Sequence, residues 1–129
     1  MSALAAARGA LGARFRLHGR TVAGGLDCVG LVALALRAEG FTGEVPSGYA
    51  LRSGDAARAV RAIEGAGLVR VEAALPGDLM LLRPGPGQLH FAIRSEAGII
   101  HADAMLRRVV ERPGLAWPVI GAWRFCRED

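Results

Sequence analysis

Hydrophobic and polar positions change their period once along the chain, from a helical spacing to the alternation typical of strands. The longest apolar run, residues 28–36, follows Asp27, a good N-cap residue, and precedes Gly40, which suits the position just after a helix. A helix that is apolar on all sides is normally buried on most of them. The pattern therefore predicts a central helix that begins at Cys28 and presents its N-terminal end to a cleft.

Further helices are predicted on either side of this central helix. Residues 2–11 are Ala-rich and suit a short first helix, and residues 56–66 carry an apolar stripe after a cap at Ser53 or Asp55. Residues 12–25 are expected to form a structured loop that leads into the central helix, and residues 41–53 an irregular connection. Beyond them the period becomes two, and the strand candidates are 68–71, 79–82, 88–94, 98–102, 107–111 and 119–125. Helices followed by an antiparallel sheet predict one α+β domain over residues 1–129, with the central helix packed on the sheet.

Composition narrows the class of partner. The 129 residues are 52% hydrophobic and 22% charged, which fits a single domain with a proper core. The formal net charge of +4 comes from scattered arginines and favours an anionic partner, such as a bacterial cell-wall polymer or a nucleic acid. Aromatic residues make up only 5% of the chain, so we do not expect nucleic-acid binding. We expect neither a membrane span nor a secretory signal, because no apolar segment is long enough and the first residues lack a basic region.

The first residue of the central helix is the main candidate for chemistry. A helix N-terminus stabilises a thiolate, so a base beside Cys28 would complete an activated nucleophile. The alternative is a small buried core residue, which most free cysteines are. Cys126, beside Phe125, is expected to contribute packing. Two cysteines do not form a disulfide framework in a chain of this size, so we expect both to be reduced.

Two histidines on neighbouring strand candidates are the candidate bases. If the connecting turn has two residues, 96–97 or 97–98, His90 and His101 project from the same face, whereas a three-residue loop would separate them. With the turn at 96–97, His101 lies opposite Ala92, diagonal to His90. Because Ala92 is small, that face has room for another group, and we expect the central helix there.

These residues fit the arrangement of an activated thiol nucleophile, with a base and a residue that orients the base. Cys28 would attack an acyl carbon, His90 would take its proton, and His101 would fix the tautomer of His90. Asp103, predicted opposite His90, is a rival for the orienting role. A backbone N–H at the start of the helix would stabilise the oxyanion. His18 either lines the cleft or faces solvent.

The same residues also fit roles other than nucleophilic catalysis. Each histidine taken alone is better explained as a partly buried ring hydrogen-bonded to backbone. A catalytic zinc site of one cysteine and two histidines is a further alternative, but the close ligand pairs typical of zinc sites are absent, so we predict no metal.

Four motifs together resemble the NlpC/P-sixty family of papain-like cysteine peptidases. They are Asp27-Cys28-Val29-Gly30-Leu31-Val32, Pro76-Gly77-Asp78-Leu79, His90 on a strand, and Ile100-His101-Ala102. The resemblance implies a papain-like fold and an endopeptidase of peptidoglycan stem peptides, typically cutting between D-glutamate and a diamino acid. It also implies that Cys28 is the nucleophile, His90 the base and His101 the orienting residue, with no cofactor.

Within that family the chain looks most like the peptidases of phage tails and gene-transfer agents, which are single small domains without a signal peptide. That branch implies synthesis in the cytoplasm, assembly with other tail proteins and exposure to the cell wall on infection. Phe15, or Arg16 in another alignment, stands where the family usually has a tyrosine, and Val29 replaces its usual serine. His18 is the candidate substitute donor.

The predicted substrate-binding residues are Asp27, Phe15, His18 and Asp103. Two further hypotheses keep the fold but change the function. In one, the catalytic centre has decayed and the domain is a structural or wall-binding tail component, with an ordinary, slow cysteine. In the other, the domain is a secreted antibacterial effector with the same chemistry.

Overall fold

The computed structural model describes residues 2–45, 51–115 and 117–126. Its helices are α1 Ala3–Gly9, α2 Cys28–Ala38 and α3 Ala56–Gly65. Its strands are β1 Arg20–Thr21, β2 Gly25–Leu26, β3 Val69–Val71, β4 Leu79–Leu82, β5 His90–Arg94, β6 Gly98–Asp103, β7 Arg108–Pro113 and β8 Val119–Arg124. The last six form an antiparallel sheet in the order β3-β8-β4-β5-β6-β7. The predicted α+β class, with helices preceding an antiparallel sheet, is confirmed.

Helix α2 is the central helix of the core, as its apolar run predicts. Asp27 caps it, with a side-chain oxygen that accepts a 2.8 Å hydrogen bond from the Gly30 N–H. The helix ends at Ala38, and Gly40 follows with φ +96°, a conformation that glycine adopts without steric cost. Its side chains share one apolar cluster with α1, α3 and the sheet.

The prediction that α2 packs on the Ala92 face of the sheet is wrong. Leu31 of α2 belongs to the same buried cluster as Phe91 and Ile93, which point to the opposite side of β5. Ala92 faces away from the helix and packs in a smaller cluster with Met80. Alternation along a strand defines two faces without saying which is covered, and the larger side chains of Phe91 and Ile93 offer more apolar area to bury.

The connection between β5 and β6 decides where the histidines point. Ile93 pairs with Ile100, and the Ser95 N–H donates to the Gly98 carbonyl over 2.9 Å. The turn therefore has two residues, 96–97, which is one of the two connections that place the histidines on a common face.

The connection between α1 and α2 contains two short strands that were not predicted. Strands β1 and β2 form a small antiparallel hairpin within residues expected to be loop. The loop before β1 lies directly on α2, where a Cβ atom at Gly30 would overlap the Gly19 carbonyl oxygen. Gly30 therefore permits a close approach that a larger residue would block. The predicted connection at 41–53 lies partly outside the described residues.

The two cysteines of the chain are not joined to each other. Cys28 and Cys126 are both free thiols. Cys126 is exposed just after β8, so its predicted packing role is wrong, although the neighbouring Phe125 does pack against the core. Among the described residues, no helix has the length and apolar character needed to cross a membrane.

Candidate active site

A cleft of about 570 Å³ opens at the N-terminal end of α2. Cys28, the first residue of the helix, lines it together with His90, the first residue of β5. Phe15 and Arg52 also line the cleft. The nucleophile and base predicted from the sequence therefore meet where the start of the helix reaches the start of the strand, although the helix packs on the other face of the sheet.

The surroundings of Cys28 favour a neutral thiol. Burial raises the pKa of the Cys28 thiol to about 11, while the backbone N–H of Phe91 opposes this shift and the charge of Asp27 adds to it. The N–H groups of Val29 and Cys28 itself also lower the pKa, because they too interact with the sulfur. These two groups lie at the start of α2, where N–H groups have no partner within the helix. They are candidate donors for an oxyanion formed at Cys28.

His90 and His101 are directly hydrogen-bonded. The distance from His90 Nε2 to His101 Nδ1 is 3.0 Å, and the rings meet edge to face. This bond leaves Nδ1 as the ring nitrogen of His90 that can act on a thiol. Burial, and then the neighbouring His101, lower the pKa of His90 to about 4. Both members of the candidate pair, Cys28 and His90, are therefore neutral near pH 7.

A second cavity, of about 780 Å³, lies on the other side of His90. It is lined by His101, Asp103 and Trp117 as well as His90. Asp103 Oδ2 is 3.8 Å from Nε2 of His101. Asp103 thus lies beside His101, and of the two predicted rivals for the orienting role it is His101 that bonds to His90.

Trp117 is a site residue that sequence reasoning missed. Its ring contacts both histidines edge to face, with centroid distances of 5.8 Å to His90 and 5.2 Å to His101. The guanidinium of Arg112 lies over the same ring, 5.1 Å from its centroid. The one signal in the sequence was a tryptophan within the Pro- and Gly-containing segment 113–118, where turn formation does not require an aromatic residue.

Both carboxylate oxygens of Asp27 accept hydrogen bonds that stabilise the local fold. Oδ1 accepts from the Gly30 N–H and from Arg20 Nη1, and Oδ2 accepts from the His18 N–H, each over 2.8 Å. Asp27 lines the cleft with these bonds in place. Its predicted contact with substrate remains a prediction.

His18 and Phe15 occupy different environments. The His18 side chain is exposed and lines a shallow depression in the loop before β1, with Arg16 and Thr21, not the cleft beside Cys28. The backbone of His18 has φ +63°, and its N–H donates to Asp27. Of the two alternatives for His18, a place in the cleft or exposure to solvent, the structure shows exposure, and its contact with substrate stays a prediction. Phe15 does line the cleft, and contributes no hydroxyl.

The Pro76-to-Leu79 motif anchors the sheet and is not part of the cleft. Asp78 is buried and accepts two 2.8 Å hydrogen bonds from the Arg124 guanidinium, on β8. It also accepts from the Leu75 N–H, which closes the turn before β4. Over the described ranges, no group of three or more His, Cys, Asp or Glu side chains is arranged to hold a metal ion.

Known structures share this fold. The chain is similar to the NlpC/p60 domain of the peptidoglycan hydrolase SagA, at 24% identity and a TM-score of 0.65, over 96% of this chain and 97% of that one. It is also similar to NlpC1 from Trichomonas vaginalis, at 20% identity and a TM-score of 0.69, and to NlpC2 from the same organism, at 18% and 0.70. Each of these two matches covers 95% of this chain, but only 44% and 46% of the longer protein.

These matches show that the chain has the NlpC/p60 fold. No protein-family model and no curated protein matches the sequence.

Proposed function

We propose that this chain is a cysteine endopeptidase of the NlpC/p60 family that hydrolyses amide bonds in peptidoglycan stem peptides, between D-glutamate and a diamino acid. The observation that carries the proposal is the meeting of Cys28 and His90 in one cleft, with His90 bonded to His101 at 3.0 Å. The shared fold with a peptidoglycan hydrolase supports it. A cleft of about 570 Å³ lies within the range of ligand sites, and Arg52 at its wall suits a substrate with free carboxylates.

The proposed reaction begins from neutral groups. As Cys28 Sγ attacks the carbonyl carbon, its proton passes to His90 Nδ1, and the N–H groups of Cys28 and Val29 receive the developing oxyanion. When the C–N bond breaks, His90 returns the proton to the leaving amine, and a thioester remains on Cys28. A water molecule then gives a proton to His90 and attacks the thioester. The carboxylic acid leaves, and the thiol regains its proton.

The deciding test is digestion of purified peptidoglycan, with the released fragments identified by mass spectrometry. The wild type is expected to release fragments that Cys28→Ala does not release. Cys126→Ala is the matched control, because it makes the same change at an exposed thiol outside the cleft, and it should retain activity. If the wild type and Cys28→Ala release the same fragments, Cys28 is not the nucleophile.

One alternative has an observation of its own. Phe15 lines the cleft without a hydroxyl and burial raises the pKa of Cys28, as a decayed, wall-binding domain would allow. Thiol labelling does not separate the two hypotheses, because a buried thiol reacts slowly in both. Cosedimentation of the protein with peptidoglycan, without any fragment released by the wild type, would support the binding domain.

We further propose, from the sequence resemblance, that the domain is assembled into a phage tail or gene-transfer-agent particle and reaches the cell wall there. Mass spectrometry of purified particles should detect the chain together with other tail proteins. Toxicity after export to the periplasm, relieved by a neighbouring immunity protein, would instead indicate a secreted effector.

A further inference from the structure

The ring of His101 has one nitrogen whose hydrogen-bonding capacity is unused. His101 is 2% exposed, and its Nε2 is buried without a hydrogen-bond partner in the part of the chain that the structure describes. The other ring nitrogen, Nδ1, is bonded to His90. A buried polar atom without a partner costs free energy, so its position calls for a physical reason. The carboxylate 3.8 Å away, on Asp103, supplies one.

That carboxylate is fixed in place by the turn that follows β6. Asp103 Oδ1 accepts hydrogen bonds from the N–H groups of Met105, at 2.8 Å, and Leu106, at 2.9 Å. With Oδ1 committed to the turn, Oδ2 is held toward the His101 ring. Partial burial raises the pKa of Asp103, but these two N–H groups, together with the charges of His101 and Arg112, outweigh burial and bring the pKa below its ordinary value. Asp103 is therefore an anion near pH 7.

The hydrogen bond between the two histidines has two possible directions, and only one permits catalysis. If Nε2 of His90 carries the proton and donates it, Nδ1 of His90 is unprotonated and can accept the proton of the Cys28 thiol. If Nδ1 of His101 carries the proton instead, it donates to Nε2 of His90, and the proton of a neutral His90 lies on Nδ1. His90 then has no unprotonated nitrogen facing Cys28 and cannot accept the proton of the thiol. The direction depends on which nitrogen of His101 is protonated.

We propose that Asp103 is a positioning residue that acts through His101. Its carboxylate places the His101 proton on Nε2, which leaves Nδ1 of His101 as the acceptor for His90. The opposite tautomer would turn the lone pair of His101 Nε2 toward a negative charge, which is repulsive. This inference rests on the proposed function, because it assigns a role within that same site.

The charged groups around the histidines shift the pKa values of these rings in opposite directions. Asp103 favours a protonated His90, and this is the form that exists after the thiol has given up its proton. Burial lowers the pKa of His101; Asp103 opposes that shift, and Arg112, over the Trp117 ring, reinforces it. Asp103 is thus the group that offsets both burial and Arg112 when positive charge forms on the pair.

Asp103→Asn tests the proposal with little change of shape. The amide oxygen can still accept from Met105 and Leu106, but the amide nitrogen then faces His101 Nε2 as a donor and favours the other tautomer. The direct readout is the ¹⁵N chemical shift of the imidazole nitrogens in histidine-labelled protein at neutral pH. Wild type should carry its protons on Nε2 of both rings, and Asp103→Asn on Nδ1 of both. The value of kcat should fall by up to about 10⁴-fold, as when a histidine base is held in the wrong tautomer, with KM little changed.

Glu111→Gln is the matched control, because Glu111 is another carboxylate that lines this cavity and pairs with Arg8 instead of a histidine. It should leave the tautomers as they are in wild type. A wild-type spectrum with the proton on Nδ1 of His101 would overturn the proposal without reference to any variant. Identical tautomers in wild type and Asp103→Asn would also overturn it. The spectra need no substrate, so if the wild type fails to cleave peptidoglycan, the proposed function fails while the role of Asp103 is still decided.

Discussion

Replacing Gly30 with alanine is expected to destabilise the protein, because the loop before β1 packs on the bare backbone of α2. A Cβ atom at Gly30 would overlap the carbonyl oxygen of Gly19. That oxygen has little freedom to move away. The Gly19 N–H donates to the Arg16 carbonyl over 2.8 Å, and the adjacent His18 N–H is held by Asp27. The obstacle is therefore backbone that is tied on both sides, unlike a side chain that can rotate.

The expected change in the free energy of unfolding is the difference between two opposing effects. In a helix interior, alanine is favoured over glycine by about 1 kcal/mol. Forcing extra volume into a packed site costs about 1–3 kcal/mol, and the upper end applies where backbone must move. The net expectation for Gly30→Ala is a loss of about 1–2 kcal/mol. In a domain of this size, this corresponds to a melting temperature lower by roughly 4–8 °C.

Gly65→Ala is the matched control, since Gly65 also lies in a helix, at the end of α3, but a Cβ atom there would meet no other atom within 4 Å. It should leave stability unchanged or raise it by up to about 1 kcal/mol. Urea unfolding followed by circular dichroism measures both variants against wild type. If Gly30→Ala is as stable as Gly65→Ala, the close approach of the Gly19 carbonyl to α2 is wrong.

Three further predictions concern the cap, the histidine and the thiol. Asp27→Ala should lower the free energy of unfolding by about 1–2 kcal/mol, and by more than Asp55→Ala, because Asp27 bonds the preceding loop as well as capping α2; equal thermal melts would contradict this. Because the pKa of His90 is lowered from 6.5 to about 4, the unfolded chain takes up a proton first, and stability should fall as pH drops through that window. Urea unfolding at pH 7 and 5 should show a smaller fall in His90→Gln, and an equal fall would remove His90 as the cause. With a pKa of about 11, Cys28 in a Cys126→Ala background should be alkylated by iodoacetamide about tenfold faster per pH unit up to that value. A plateau near neutral pH would indicate a preformed thiolate.

The local signals in the sequence were sufficient for helices α1 to α3, for the six strands of the large sheet and for the two histidines, but not for the β1–β2 hairpin. Asp27 and Gly40 mark the limits of α2 because capping is a local property of the chain. The common face of His90 and His101 follows from the two-residue turn and the period of a strand. These features depend on neighbours within a few residues, so the sequence displays them directly.

Features that depend on distant segments were not predictable in the same way. The face of β5 that α2 covers, and the position of Trp117 against both histidines, result from packing between elements. The bond from Arg124 to Asp78 joins residues 46 positions apart. No local pattern in the chain encodes such a pairing, although Asp78 itself lies in a recognisable Pro-Gly-Asp turn.

Asp27 and Asp103 support different parts of the candidate site. Asp27 positions the helix that carries Cys28, and Asp103 lies beside the histidine pair. Asp27 ties the start of α2 to the loop before β1, so it sets where Cys28 lies, through backbone N–H groups that do not titrate. Asp103 lies beyond His101 and, in our proposal, sets which nitrogen of His90 is basic. Loss of Asp27 should therefore appear first in stability, and loss of Asp103 in histidine tautomers and kcat at nearly unchanged stability. In a chain with a net charge of +4, these two acidic residues of the candidate site then contribute mainly geometry and proton placement.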